Sequence, residues 1–422
     1  MEIDRQFVAT RLSTLIGVMT GIALPAFFFG SAVSGAILGV VFLCFVVHPD
    51  RNAAWSHLKS GLRDPLAMLM FVTAVLWLPG VLFSIAPGKS FETWLRVLLF
   101  VVFGYLVWIH LQENRVVWQR AVQSLLLAIT LTTALALISL FGPSDFIAWT
   151  RFIDNDIYHL KATVSLKSFG AMLMLLLPVV VWIGWRKGKP WNVLSLGLAG
   201  CFLLIIITLK NKSAVAGLLA AFLACFVVFV RVYGTRRQFY SSILVVGVIG
   251  AGLIHWLTPA TKDIVVHSEV RFDYPLPLWL VDYTRQNIWG FVLDRAMESP
   301  FVGHGINAIN LLPGADRPIH TGSVNLVPSH PHNWFLEIFS ETGIVGLIPL
   351  LVLICATLVR LIRMYAATRD MAVMVALAVS VAYWASGLFN FSFWAAWWQV
   401  AYFITVAICL AGRGQDHPPA TG

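Results

Sequence analysis

Long apolar runs recur along the chain, separated by polar connectors. They fall at residues 12–30, 31–47, 65–86, 93–111, 117–141, 166–185, 191–209, 213–231, 240–258, 344–362, 370–389 and 393–411. An α-helix needs roughly 20 apolar residues to cross a bilayer core. The pattern therefore predicts an all-α polytopic membrane protein with about 12 transmembrane helices. It divides the chain into helices 1–9 over residues 1–258, then a large loop domain with short helices over 259–333. A short or re-entrant helix and helices 10–12 follow over 334–411, and 412–422 is a polar tail expected to be disordered. No small-residue cleavage site follows the first apolar run, so that run is expected to be a retained helix.

Composition agrees with this pattern. The 422 residues are 59% hydrophobic and 12% charged, about half the charge of a soluble domain. So few polar groups could not cover a soluble surface, whereas an exterior facing lipid needs no such cover. The net charge of +9 does not point to nucleic acid, because Lys and Arg are scattered over connectors and form no basic domain. Their placement orients the chain instead. With the N-terminus in the cytoplasm, the connectors on that side hold Arg51, Lys59, Arg63, Arg115, Arg120, Arg186, Lys187, Lys189, Arg231, Arg236, Arg237, Arg360, Arg363 and Arg369. Together with Arg5, Arg11 and Arg413 in the tails they make up more than half of the 29 basic residues. The positive-inside rule then predicts both termini in the cytoplasm and the large loop outside. The five cysteines (Cys44, Cys201, Cys225, Cys355 and Cys409) sit in apolar runs with neither zinc-site nor disulfide spacing, and are expected to be buried, inert thiols.

Within the large loop, residues 284–297 read as an amphipathic helix with Ile288, Phe291 and Val292 on one face, and 299–305 as a turn-rich stretch. The most informative segment is 328–350, PSHPHNWFLEIFSETGIVGLIPL. Asn333 suits a helix N-cap, Glu337 and Glu341 are one turn apart on one side, and Gly343 marks a break before the apolar run from Ile344. His332 sits just ahead of the helix start, with His330 two residues upstream. The partial positive charge there favours neutral imidazole, the form a general base requires, and can also face an anionic group. An interfacial His–Asn cap without chemistry is the plainer account. A metal site through His330 and His332 lacks further ligands at recognisable spacing.

Lys210 and Lys212 occupy a very short turn on the side that should avoid positive charge. They either snorkel to headgroups or pair with a phosphate. Arg285, at the start of the amphipathic helix, would on its own be a solvated charge. Trp394, Trp397 and Trp398 read as an interfacial belt. The sequence contains no Walker motif, nucleotide fingerprint or DxD cluster, which argues against a nucleotide-driven pump and a metal-dependent nucleotide-sugar transferase.

His332-Asn333, followed at fixed spacing by Gly343 and Gly346, resembles the signature of the O-antigen ligase family. Residues 285–289 (RQNIW) and 300–305 (PFVGHG) are similar to that family's arginine helix and Pro-x-x-Gly-x-Gly turn, and the turn at 208–214 looks like the place where members carry Ser-Arg. Asn211-Lys212 stands there instead, keeping the charge and losing the planar guanidinium fork. The resemblance implies an inner-membrane glycosyltransferase of a Gram-negative envelope. It would move O-antigen from undecaprenyl pyrophosphate to lipid A–core on the periplasmic side, with no cofactor or metal and no nucleic-acid partner. In that reading His332 is the catalytic base of an inverting transfer. Arg285, Lys212 and Lys210 bind the donor pyrophosphate, while His330, Asn333, Glu341, Gly343 and Gly346 support the site. The same motifs fit an O-antigen polymerase or a protein O-oligosaccharyltransferase. A secondary transporter would want charged residues inside several helices and inverted repeats, and the apolar runs are largely uninterrupted.

Overall fold

The computed structural model describes residues 2–151, 161–256, 283–318 and 325–414. The remaining parts of the two long loops and of the C-terminal tail, whose disorder the composition predicts, lie outside the described residues. In chain order the helices are α1 Glu2–Ala23, α2 Ser31–Val47, α3 Arg51–Gly61, α4 Pro65–Leu76, α5 Leu78–Leu82, α6 Pro87–Glu113, α7 Arg115–Phe141, α8 Phe146–Thr150 and α9 Ala162–Ser165. They continue with α10 Lys167–Lys187, α11 Trp191–Thr208, α12 Lys212–Tyr233, α13 Arg236–Trp256, α14 Tyr283–Glu298, α15 Trp334–Thr368, α16 Met371–Ser386 and α17 Ala396–Ala411.

The protein is an all-helical polytopic membrane protein. Among the described residues 9 helices are long and apolar enough to cross a bilayer, or 10 if the bent pair α2–α3 is one span. All twelve apolar runs of the sequence fall on helices. The runs beyond those nine are α2 and α17, which are 17 and 16 residues long, and α13. At about 1.5 Å per residue, 16 residues reach about 24 Å, short of a ~30 Å core.

Two helices form the centre of the bundle. In α10 and α16, 72% of the spanning window is buried, against 28–39% in the other spans. Their sequences explain this: both are apolar around the whole circumference, with small residues such as Gly170, Ala171, Ala376 and Ser380 among the buried ones. α1 packs on α7, α11 on α10, α12 on α16 and α6 on α17.

Two sequence readings are corrected here. Trp394 and Trp398 are each 1% exposed, so they belong to the core and not to an interfacial belt. Trp398 stacks on Tyr383 at 4.8 Å between ring centroids, and Trp394 packs edge-on against Trp77 at 5.2 Å. The cysteines are all free, but only Cys44 and Cys409 are buried; Cys355 is exposed on the outer face of α15. An outer face in lipid is as apolar as a core, so an apolar run does not by itself say which side a thiol faces.

The element that positions the site is a latch between the 300–305 turn and the break in α15. Gly343 has φ 62°, a left-handed backbone inside α15 that splits it into a short first segment and a long second one. The backbone N–H groups freed at the break are satisfied by the turn: Ile344 donates to Pro300 O (2.8 Å) and Val345 to Phe301 O (3.2 Å). In return His304 N donates to Ser340 O and Gly305 N to Glu341 O, both at 3.0 Å. A Cβ on Gly343 would strike the Phe301 backbone, and one on Gly303 (φ 70°) the Glu341 carbonyl. Gly346 allows a third approach, with Trp77 Nε1 donating to its carbonyl at 3.2 Å. Ala at position 343 or 303 adds both a clash and a left-handed L-residue, worth roughly 1–2 kcal/mol for the backbone alone. Gly343→Ala and Gly303→Ala should each lower the thermal unfolding midpoint in detergent by several degrees. Gly200→Ala, where a Cβ meets nothing within 4 Å, should not.

Candidate active site

The first turns of α15 start at Asn333, whose side chain accepts hydrogen bonds from Phe335 N (3.0 Å) and Leu336 N (3.2 Å). This is the N-cap that the sequence predicts. His332 precedes it with φ 56°, a left-handed conformation in which a non-glycine residue is held only when its surroundings impose it. Its Nδ1 lies 3.2 Å from the backbone carbonyl of Asn390. A carbonyl only accepts, so in the neutral ring Nδ1 carries the proton and Nε2 the lone pair.

His330 packs against His332, with ring centroids 4.3 Å apart. Burial pushes its pKa down to about 3, with the neighbouring His332 and the charge of Arg285 acting in the same direction and the Asn390 carbonyl opposing them. His330 is therefore neutral at physiological pH.

Arg285 reaches this corner because of how α14 docks. Ile288 and Val292 are buried in a small cluster with Ile309, Leu312, Leu326 and Val327, against which Leu336 of α15 and Phe389 pack. This is the amphipathic face expected from the sequence. One turn beyond Arg285, Trp289 donates its indole N–H to Pro331 O at 2.8 Å, tying α14 to the histidine loop. Arg285 is partly buried and has interactions of its own.

Lys210 and Lys212 lie at the N-terminus of α12, and both are exposed. Asn211 between them is buried and builds the turn: it donates to Lys167 O (2.9 Å) and accepts from Ser213 Oγ (2.8 Å) and Ala214 N (3.2 Å). Lower in α12, Gly217 faces Ala382 and Ser386, and Cys225 faces Met374. This antiparallel register runs the Lys212 end of α12 toward the turn Gly387–Phe389, just before Asn390. His332, His330 and Arg285 are thus brought together, and the lysine turn approaches the same corner from the opposite side of Asn390.

Two carboxyl groups hold the arrangement. Glu337 is 1% exposed and Glu341 is 0% exposed, so both need hydrogen-bond donors. Glu337 accepts from Ser392 Oγ (2.5 Å) and Phe393 N (2.6 Å), which fixes the loop that carries Asn390. Glu341 accepts from the backbone N–H groups of Asn307 (2.6 Å), Ala308 (3.0 Å) and Ile309 (3.1 Å), and from the indole of Trp394. Its position on the predicted face is as expected, but its partners lie in the large loop and before α17.

Sequence reasoning missed Asn390, Ser392 and Asn287. Asn287 is 1% exposed with neither amide atom bonded. The Asn390 side-chain nitrogen and His330 Nε2 are likewise buried without a partner. Unsatisfied buried polar groups are rare, and a cluster of them beside a helix start marks a place where polar chemistry occurs. No spacing signal in the sequence links these residues, because the contacts join segments more than 50 positions apart.

Comparison with known proteins bears on the same segment. The family model described as "O-Antigen ligase" matches residues 201–351, which include Lys212, Arg285, His332, Gly343 and Gly346. The chain belongs to the O-antigen ligase family. This family member is also similar to a protein of Rickettsia felis named "Putative polysaccharide ligase". The two are 24% identical over 412 residues, which cover 92% of this chain and 93% of the relative. A protein of the same name from Rickettsia conorii is 28% identical over 114 residues, covering 26% of this chain and 27% of the relative. The O-antigen ligase family comprises membrane enzymes of the ligase and polymerase type, to which the Glu341 clamp and the latch now give a structural frame.

Two outcomes test this geometry. Glu341→Ala leaves three backbone N–H groups and an indole without their acceptor, at about 1–3 kcal/mol for each buried group left unpaired. It should expose the 305–318 segment to limited proteolysis, and Glu341→Gln, which keeps an acceptor oxygen, should do so less. His330 observed by NMR should not titrate between pH 5 and 8. Its folded pKa lies below the unfolded value of about 6.5. The unfolded chain therefore takes up a proton that the fold refuses, and stability should fall as pH drops from about 6.5 toward 3.

Proposed function

We propose that this protein is an inner-membrane glycosyltransferase that transfers O-antigen polysaccharide from undecaprenyl pyrophosphate to lipid A–core, completing lipopolysaccharide. The site faces the periplasm and both termini face the cytoplasm, as the distribution of Lys and Arg over the short connectors supports. The observation that carries the reading is His332. Its Nδ1 is engaged by the Asn390 carbonyl, and it stands ahead of a helix N-terminus beside the helix that bears Arg285.

In this mechanism Nε2 of His332 takes the proton from an acceptor sugar hydroxyl. The oxygen forms its bond to the anomeric carbon of the donor from the face opposite the leaving group. The bond from that carbon to the pyrophosphate oxygen breaks, its electron pair leaves with undecaprenyl pyrophosphate, and configuration inverts. Arg285, Lys212 and Lys210 offset the charge that builds on the leaving pyrophosphate, and the N-terminus of α15 adds partial positive charge. His330 stays neutral and adds no competing charge beside the base. Asn333 caps the helix, Glu341 braces the loop, and Gly343 and Gly346 permit the close approaches on which the latch depends. The donor is already activated, so the reaction calls for no nucleotide.

Purified protein given undecaprenyl-pyrophosphate-linked O-antigen and lipid A–core, with chelator and without ATP, should form ligated lipopolysaccharide. Extension of the donor glycan instead would identify a polymerase, and transfer to a protein hydroxyl an oligosaccharyltransferase. His332→Ala should lower the rate by about 10²–10⁴-fold, the range for loss of a general base, with unchanged elution on size exclusion. Full activity in that variant would remove His332 from the chemistry. Arg285→Ala should lower the rate by about 10²–10³-fold, and an unaffected rate would remove it from the donor site.

A further inference from the structure

The largest features of the bundle outside this site are three adjoining cavities in the half opposite His332. The main one, about 440 Å³, lies between α4, α6, α15 and α17. Its mouth is at Asp64 and Arg360, and its inner end is closed by Trp77, Trp384 and Phe393. The others, about 340 and 550 Å³, share Leu66 and Arg360 with it and add Arg413 and Arg363 respectively. The main cavity is of the size of ligand pockets, about 300–1,000 Å³.

Its chemistry is that of a lipid. The walls are apolar and aromatic, and the charged side chains are confined to the mouth. From Arg360 to Leu350 the slot follows ten residues of α15, about 15 Å at 1.5 Å per residue. That is half of a ~30 Å bilayer core, the depth of one leaflet. The mouth is cationic: Arg360, Arg363 and Arg413 face it, against Asp64, which is paired with Arg360, and Asp370, which caps α16. Among the described residues Arg363 and Arg413 form no ion pair. Trp108 lines both the main cavity and the one with Arg413, and its indole N–H is buried without a partner. A basic pocket between membrane helices is the recognised form of an anionic headgroup site.

We infer that this cleft binds one anionic phospholipid of the bilayer, its headgroup phosphate against Arg360, Arg363 and Arg413 and an acyl chain in the slot between α4, α6, α15 and α17. The Trp108 N–H meets a polar atom of the headgroup region. The inference stands independently of the transfer reaction, because it uses none of that site's residues.

The test is native mass spectrometry of the full-length protein released from nanodiscs of equal phosphatidylglycerol and phosphatidylcholine. The wild type should retain phosphatidylglycerol over phosphatidylcholine by severalfold. Arg363→Gln and Arg413→Gln together, which leave the Arg360–Asp64 pair intact, should bring that ratio close to one. Trp108→Phe, which keeps the ring and loses the N–H, should weaken retention, and Ala67→Phe, which fills the slot, should reduce retention of both lipids. All variants are first checked for a monodisperse size-exclusion profile, and should Ala67→Phe fail it, Thr357→Leu replaces it. Retention in the bilayer ratio by the wild type, an unchanged ratio in the double variant, or unchanged retention with the slot filled would overturn the assignment. So would a polyprenyl phosphate carried from the expression host as the retained species.

Discussion

A carboxyl group removed from water costs several kcal/mol if charged and unpaired, and each buried backbone N–H costs about 1–3 kcal/mol if left without an acceptor. Glu341 settles both requirements at one point. It sits where the break at Gly343 opens α15, and it accepts from three consecutive N–H groups of the 307–309 segment and from the Trp394 indole. The loop, the re-entrant turn of α15 and the approach to α17 meet on that one side chain. Glu337, one turn earlier, does the same for the loop of Ser392 and Phe393, and so fixes the Asn390 carbonyl that orients His332. The imidazole is therefore positioned by polar groups buried beneath it and not by the loop on which it lies.

This arrangement explains why so many unusual backbones lie close together. His332, Asn307, Gly303, Gly305 and Gly343 all have positive φ. Each lies in or directly beside a segment whose N–H or C=O groups are taken up by α15 or by the two glutamates. Left-handed residues persist only where their surroundings over-determine them, and here the clamp and the latch supply that constraint. Lys89 adds a tie from the start of α6, donating to Asn310 Oδ1 at 3.3 Å, and Asn307 donates to Thr93 at 3.3 Å. The outer end of α6 is thus part of the scaffold under the site.

The helices were legible in the sequence because a bilayer imposes one length and one chemistry on them. The cap at Asn333, the break at Gly343 and the buried face of α14 were legible because their signals are local. The inward position of Trp394 was not. An aromatic residue near the end of an apolar run reads the same whether it meets headgroups or a carboxylate, and the Glu341 that claims its N–H lies 53 positions away. Asn390 escaped for the same reason, since it contributes a backbone carbonyl that any residue type would offer. The number of spans was the least readable quantity, because α2 and α17 are too short to settle by length.

Lys212 in place of an arginine fits the geometry of its own turn. Asn211 is consumed by the turn, bonding Lys167 O, Ser213 and Ala214, so the flanking cations carry the charge alone and from an exposed position. A guanidinium binds through a fixed planar fork, whereas an ammonium on a flexible stem acts as a mobile point charge. With Arg285 held on a docked helix and the lysines on a free helix end, the two sides of the corner differ in rigidity. A fixed cation suits the phosphate that must be aligned with the anomeric carbon. A mobile one suits the phosphate that departs, since it can follow the leaving group as the charge moves away from the sugar.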